Sequence, residues 1–596
     1  MKRIKLSFTL LMLLVGLELV ATGYFVSVNG DNKNPGTREL PFRTIQKAAD
    51  VMSPGDVCIV RAGTYREWIK PPRGGVSESQ RIIYKAAPGE EVIIKGSEQV
   101  TNWVKQDGTV WMAEIPDSFF GNFNPFKTNI SGNYIRYGRD YHLGDVYVNG
   151  TSFKERTNKL DMAASPGAFY IEDGVNTTKI YANFRGYDPT VDLVEMNVRE
   201  CLFFSEIKGL QYITVSGFKM MHAAANWAYF RAFQHGLIGT YWGKYWIIEN
   251  NIISDARCSA IVCGNDASCE NEGFDVESVG HHIVRNNVIR RCGQAAIHGF
   301  KGWARSLIEG NLIEDINTKN EFGGFETGGM KIHNAVDLTI KNNVVRRVRI
   351  GDVGQYAGIW IDWSAQGTRI TGNVVYDCTA PALFLQNGHG GTVLVDNNVF
   401  SGEVRTSMSN CIYVHNLFVN CNWNYQFEKF SPVFYKPHTG IVAGEIPIAY
   451  ENDINYNNIY AQLGTDMIPD YPGFRFDRNV FYQGAAAYPF GDENSIVKND
   501  FVSNVVFTNY PNGVEVTFLS EKSPRKVKSP FIDYDFVGVY KITSQGLDDW
   551  KGTRYAISTD IIGNSRSQKH PVAGPLENLK KGRNTIKLTI TPKITE

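Results

Sequence analysis

The sequence predicts an all-β fold: a parallel β-helix (solenoid) with an inserted β-sandwich module. A short form, apolar alternation around a central Asn, recurs along the second half of the chain. The copies are irregularly spaced, as loop insertions in a solenoid would make them. Between residues 99 and 197 the texture changes to scattered strands and tight turns.

Length and composition set the bounds. The chain has 596 residues, more than one compact core usually serves, so several domains or an elongated repeat is expected. Sixty-one basic residues balance 61 acidic ones. A nucleic-acid partner would need a basic surface, so none is expected. Aromatics at 12% suit a neutral carbohydrate, which is read by aromatic faces and hydrogen bonds.

Residues 1–23 read as a signal peptide: a basic head, an apolar run, then Ala21, Thr22 and Gly23. An uncleaved anchor is the alternative. Glu18 interrupts a run already short for a full span, so no stable membrane span is expected after cleavage. The first cysteine, Cys58, lies far from that site, and the expected location is secreted or periplasmic.

Residues 24–98 hold an N-terminal cap and the first rungs. Thr44 caps a short helix with Ile45, Ala48 and Val51 on one face, Pro54-Gly55 ends it, and Val57–Val60 starts a strand. This opening resembles that of right-handed parallel β-helix proteins, where a helix plugs the coil. Residues 99–197 form the inserted module, with turns at Asn149-Gly150 and Asp173-Gly174. Its aromatics Trp103, Trp111, Phe119, Phe120 and Phe123 are read mainly as its own core.

Residues 198–510 carry the repeat and the active-site groove. The central residues are Asn251, Asn287, Asn311, Asn343, Asn373, Asn398, Asn416, Asn458 and Asn479, spaced 36, 24, 32, 30, 25, 18, 42 and 21 apart. Stacked at one turn, these amides would hydrogen-bond along the coil. Cys292, Cys378 and Cys421 fall five residues after their Asn, where other rungs have Ile316 and Val348, so they join an interior apolar stack. Cys258, Cys263 and Cys269 lack the spacing of a zinc site, and no metal or cofactor is expected. Residues 511–596 are read as C-terminal rungs and a polar cap.

The segments AAIHG (295–299), MKIHN (330–334), IWIDW (359–363) and LFLQN (383–387) superpose without gaps. Alternation sends Ile297, Ile332, Ile361 and Leu385 inward. One outward column is then His298, His333, Asp362 and Gln386, and a second is Ala296, Lys331, Trp360 and Phe384. Exposed Trp360, Trp363 and Phe384 beside polar groups suggest a sugar-binding groove. Glu326, His389, Trp227 and Trp242 join it from loops. Retaining glycoside hydrolysis needs two carboxyl groups ~5–5.5 Å apart, about one rung spacing, and Asp362 with position 386 supplies that geometry. Gln386, however, is an amide and cannot donate and retrieve a proton.

The segments IWIDWSAQGTR, GGMKIHNAVD, MHAAANWAYF, GLIGTYW, HIVRNNVIRRCGQAAI and PDSFFGNFNP resemble the β-xylosidases of glycoside hydrolase family 120. The resemblance runs from TIQKAAD to about Asn398. It implies a right-handed parallel β-helix with a β-sandwich insertion that releases xylose from xylo-oligosaccharides or a related plant glycan, with retention. It implies Asp362 as nucleophile and position 386 as acid/base, where the family has FVEVSHG-like residues and this chain has FLQNGHG. Glu326 matches a further acidic residue near the substrate.

Three functions follow. The first is an active glycosidase with its proton donor elsewhere, Glu326 being the candidate. The second is a carbohydrate-binding relative with impaired catalysis. The third is a polysaccharide lyase using Lys331 or Arg369 as base, although the ladder lacks the acidic cluster that calcium needs.

Overall fold

The computed structural model describes residues 22–132, 135–227, 235–264, 271–351, 355–465 and 468–590. The signal-peptide reading falls almost entirely on residues outside this set, as does Cys269.

Three parallel sheets wrap one continuous core to form a right-handed parallel β-helix. Among the described residues they contain 13, 9 and 13 strands. The first runs from Gly23–Val26 to Arg475–Asp477, the second from Phe203–Phe204 to Trp423–Tyr425, and the third from Gly63–Tyr65 to Ile496–Lys498. The helix Ile45–Val51 lies at the N-terminal end, and Thr44 accepts a hydrogen bond from the Lys47 amide as its cap. Ile45, Ala48 and Ala49 bury its inner face in the core shared with Val26, Val60 and Ile82.

The Asn column is continuous at the corner between the first and third sheets. From Asn251 to Asn479, the side-chain amide of each Asn donates to the side-chain oxygen of the next, at 2.9–3.2 Å. Each oxygen also accepts the backbone N–H of the preceding rung's Asn, as Asn311 does from Asn287 at 3.0 Å. A second amide hydrogen reaches a strand carbonyl, as from Asn311 to Val284. Buried polar corners are thereby satisfied without water. The residue before each ladder Asn has positive φ: Asn250, Asn286, Gly310, Asn342, Gly372, Asn397, His415, Asn457 and Arg478. Asn and Gly enter the left-handed region most readily, which explains the recurring Asn-Asn and Gly-Asn pairs.

Cys292 and Cys421 are buried in the interior stack, and Cys378 packs against it. The eight described cysteines are all free thiols.

Residues 97–197 contain two sheets, an antiparallel one joining Ser97–Gln99, Val146–Val148, Thr151–Ser152 and Val194–Asn197, and one of five strands that is antiparallel except where Lys154–Glu155 runs parallel to Ala168–Asp173. Trp103 and Phe120 belong to their shared core and Trp111 packs against it, whereas Phe119 is exposed. Phe123 packs instead on the cluster of Trp227, Phe300 and Phe322 on the β-helix. Buried Arg257 binds Glu321 at 2.6 Å and Glu155 at 3.0 Å, tying the module to the coil.

The C-terminus departs from the expected rungs and cap. Past Ile496–Lys498 no strand of the described residues joins the three parallel sheets. Val506–Tyr510, Gly513–Ser520 and Gly582–Thr589 form an antiparallel sheet. Val514, Val516 and Phe518 cover the outer residues Leu312, Val344, Val374 and Val399 of the third sheet. Apolar residues on that outer face need a cover as much as the coil end does, and the tail supplies it by running back along the side.

Candidate active site

The site is built on the second sheet, where Ala295–Phe300, Thr327–His333, Tyr356–Asp362 and Leu383–Gly388 lie side by side. Their register differs from the gapless alignment in the first rung. Ala295 pairs with Gly328, and His298 with Lys331. One column is therefore His298, Lys331, Trp360 and Phe384, and the other is Phe300, His333, Asp362 and Gln386. The slip is two residues, which keeps every side chain on its expected face. Ile297, Met330, Ile359 and Leu383 point into the core.

The second correction concerns exposure. Trp360, Phe384, Lys331 and His298 are covered rather than lining an open groove. Trp360 stacks on Phe384 with ring centroids 5.1 Å apart. Asp362 and Gln386 are each 5% exposed, so little of either side chain meets solvent.

A charged network surrounds Asp362. Lys331 Nζ lies 2.5 Å from Asp362 Oδ2, 3.6 Å from Glu326 Oε1 and 3.3 Å from the centre of the Trp360 ring. Asp362 Oδ1 accepts the Trp363 N–H at 2.7 Å and faces the Asn387 amide at 3.5 Å. Glu326 Oε2 is 2.9 Å from His333 Nε2 and 3.6 Å from His298 Nε2. Burial opposes ionisation of Glu326, but Lys331 and His333 outweigh it and hold the carboxyl well below the usual carboxylate range. Glu326 is thus an anion that orients histidines and lysine, and a poor proton donor. His298, buried beside it, has its pKa lowered chiefly by desolvation.

Glu326, His333 and Asp362 bring ligand atoms within 4.8 Å of one another, a spacing that could hold a cation. The Lys331 ammonium already sits between the two carboxylates and supplies that charge.

Backbone conformation marks the same place. Asn334 and Trp363, one residue past their strands, and Asn387, next to last in Leu383–Gly388, have φ of 49°, 47° and 53°. Asn tolerates this region, but Trp does so rarely, and such strain concentrates at functional sites. Trp363 is held there by its indole N–H, which donates to Asn271 at 3.0 Å, and by Phe430, whose ring lies 5.5 Å away edge-on. Glu326 also has positive φ, 74°, just after Gly323–Gly324, which pairs with Ile135–Tyr137 of the inserted module.

The remaining candidates scatter. Trp227 packs edge-on against Phe322 and shares a cluster with Phe300, forming a wall beside His333. His389 is buried at the far turn, 3.2 Å from the Pro432 carbonyl, away from the charged network. Trp242 lines a separate cleft with Lys208, Phe274 and Lys301. Arg369 stands on the first sheet, bound to Asp396 at 2.8 Å, and cannot serve this site as a base.

One acidic residue at the site went unnoticed in the sequence. Glu428 lies on the loop after Trp423–Tyr425, the next rung strand but one beyond Leu383–Gly388. Its carboxyl faces Gln386 and feels the charge of Asp362. Burial raises its pKa, and the Asp362 charge adds to the rise while Gln386 offsets it. The available signal was an acid between Phe427 and Phe430 just past a rung; no repeat position marks it.

Fold and site define a carbohydrate-active β-helix protein with an inserted β-module. The glycoside hydrolase 120 insertion-domain family matches residues 100–167, and the right handed beta helix region family matches 237–423. A solved structure of XylC in complex with xylose is 33% identical, with a TM-score of 0.87, covering 95% of this chain and 100% of that one. The chain belongs to glycoside hydrolase family 120. Among curated proteins, the uncharacterized protein YwoF of Bacillus subtilis (strain 168) is 36% identical over 78 residues, 13% of this chain and 16% of that protein. Pectate lyase PEL9 of Emericella nidulans is 29% identical over 129 residues, 20% of this chain and 31% of that enzyme. The chain thus spans less than a third of either curated relative. No helix among the described residues is long and apolar enough to cross a membrane.

Proposed function

We propose that the protein is an exported retaining glycosidase that removes xylose, or a closely related sugar, from the ends of oligosaccharides. Asp362 is the nucleophile. The observation that carries this reading is the placement of Asp362. It is a largely buried carboxylate, fixed by Lys331 and the Trp363 N–H, with the family acid/base position paired directly to it across adjacent strands. A nucleophile held this firmly loses little orientational freedom when it attacks the anomeric carbon. The xylose bound by the XylC structure supports the choice of sugar.

The test is turnover of aryl β-xylosides by purified Asp362→Ala. Loss of turnover, with azide producing an α-glycosyl azide, is the expected result. Unchanged turnover would remove Asp362 from the mechanism. An ultraviolet-absorbing unsaturated product from a uronate polymer would replace hydrolysis with elimination.

A further inference from the structure

A retaining site needs a group that gives a proton to the leaving oxygen and later takes one from water. Position 386 carries an amide, and Glu326 is ion-paired into its anionic form. We infer that Glu428, delivered by the loop after Trp423–Tyr425, is the general acid and base of this enzyme. The inference rests on the reading of Asp362 as nucleophile.

Geometry supports this assignment. The Trp360 indole N–H donates to Gln386 Oε1 at 3.0 Å, which turns Nε2 toward Gln355 Oε1, 3.3 Å away, and toward the Glu428 carboxyl. The amide thus faces a carboxyl delivered from outside the rung. The loop is anchored at both sides of Glu428. The Tyr450 hydroxyl donates to the Gln426 carbonyl at 2.9 Å and meets the Glu428 backbone, while Phe430 packs on Trp363 next to the nucleophile. Glu428 itself is only half-buried, open to an incoming leaving group. Burial and the nearby Asp362 charge raise its pKa, the direction a proton donor needs, and the Gln386 amide faces the anion left once the proton has gone.

The cycle balances. An Asp362 oxygen bonds to the anomeric carbon as the glycosidic C–O bond breaks, and the leaving oxygen takes the Glu428 proton. Water then attacks the same carbon and loses a proton to the Glu428 carboxylate. The ester bond breaks and its electron pair returns to Asp362.

The experiment compares xylobiose with dinitrophenyl β-xyloside, whose leaving group needs no proton, using full-length wild type, Glu428→Gln, Asp362→Ala and the double variant Glu428→Gln/Gln386→Glu. Glu428→Gln should lower kcat/KM for xylobiose by about 100-fold or more and remove the alkaline limb of its pH profile. The aryl substrate should still give a burst of dinitrophenolate. The double variant should regain at least about tenfold in xylobiose turnover, because it moves the acid to the strand. This gain also guards against a Glu428→Gln defect that is merely a folding loss. If Glu428→Gln keeps wild-type xylobiose turnover while Asp362→Ala abolishes it, Glu428 is not the proton donor and the nucleophile stands. If wild type and Asp362→Ala act alike on both substrates, the glycosidase reading itself falls, and the inference with it.

Discussion

Replacing Lys331 by Met would remove the ammonium that bridges the two buried carboxylates while nearly preserving volume. In the native protein Lys331 lies 2.5 Å from Asp362 and 3.6 Å from Glu326, with no exposed surface of its own. Removing one partner of a buried pair costs about 3–5 kcal/mol, because the remaining charge is left uncompensated. That energy corresponds to roughly 2–4 pKa units if the carboxyl escapes by taking up a proton. Glu326 is the group to follow. Its folded pKa is depressed, so its ionisation stabilises the fold above the ordinary carboxylate range, and the contribution is lost as pH falls through the folded value. Without Lys331, the largest of the lowering influences, burial would raise that pKa. The variant should therefore be less stable than wild type at pH 8, with the gap narrowing as pH falls to 5 and Glu326 protonates. Urea unfolding of both proteins across this pH range measures the gap. A gap below about 1 kcal/mol at pH 8, or one that does not change with pH, would refute the bridging role of Lys331.

Other outcomes are equally specific. Asn373→Ala removes the acceptor for the Asn343 N–H and side-chain amide and the donor to the Ile340 carbonyl, so it should destabilise by about 3 kcal/mol or more in denaturant unfolding. Trp360→Phe keeps the ring over Lys331 but deprives Gln386 of its donor. It should leave melting within a few degrees of wild type while lowering xylobiose kcat/KM more than KM-independent binding of xylose, measured by calorimetry. Buried Asp453 has its pKa raised to about 7 by desolvation, so folding penalises its ionisation as pH rises through that value. Asp453→Asn should gain stability relative to wild type between pH 5 and pH 8; a constant difference would contradict the shift.

The repeat was legible because it is local. Each rung repeats an apolar alternation and an Asn corner, and nine copies fix the core, the corner ladder and the inward cysteines. The outward columns were legible in face throughout and in register from Lys331 onward, but not for the first rung. Alternation determines parity, whereas the rung from Ala295 to Met330 contains a long loop whose closure sets the two-residue offset. Burial of Trp360 and Phe384 was misjudged because their cover comes from side chains distant in sequence, such as Arg405 over Phe384 at 5.4 Å. The tail's path along the third sheet was hidden for the same reason: its apolar residues read as strand, and only the outer faces of Leu312 and Val399 show where they belong.

The two halves of the proposed chemistry are encoded differently. Asp362 stands on a strand whose neighbours fix it at about 4.8 Å spacing, so its surroundings follow from sheet register alone. A proton donor has a looser requirement: it must reach the leaving oxygen, whether from the sheet or from a loop above it. Gln386 keeps the strand position but serves as a hydrogen-bonding support, and Glu428 brings a carboxyl to it from outside the repeat. With Glu428 as the proposed donor, substitution of an acid by an amide on a rung would not by itself silence the site. It transfers the pKa-tuned group from an element held by two neighbouring strands to one held by Tyr450 and Phe430. On this argument, Tyr450→Phe, which loses the bonds to the loop backbone but keeps the ring, should reduce xylobiose turnover and leave the dinitrophenolate burst intact. If both substrates slow equally, the loop does not position the acid.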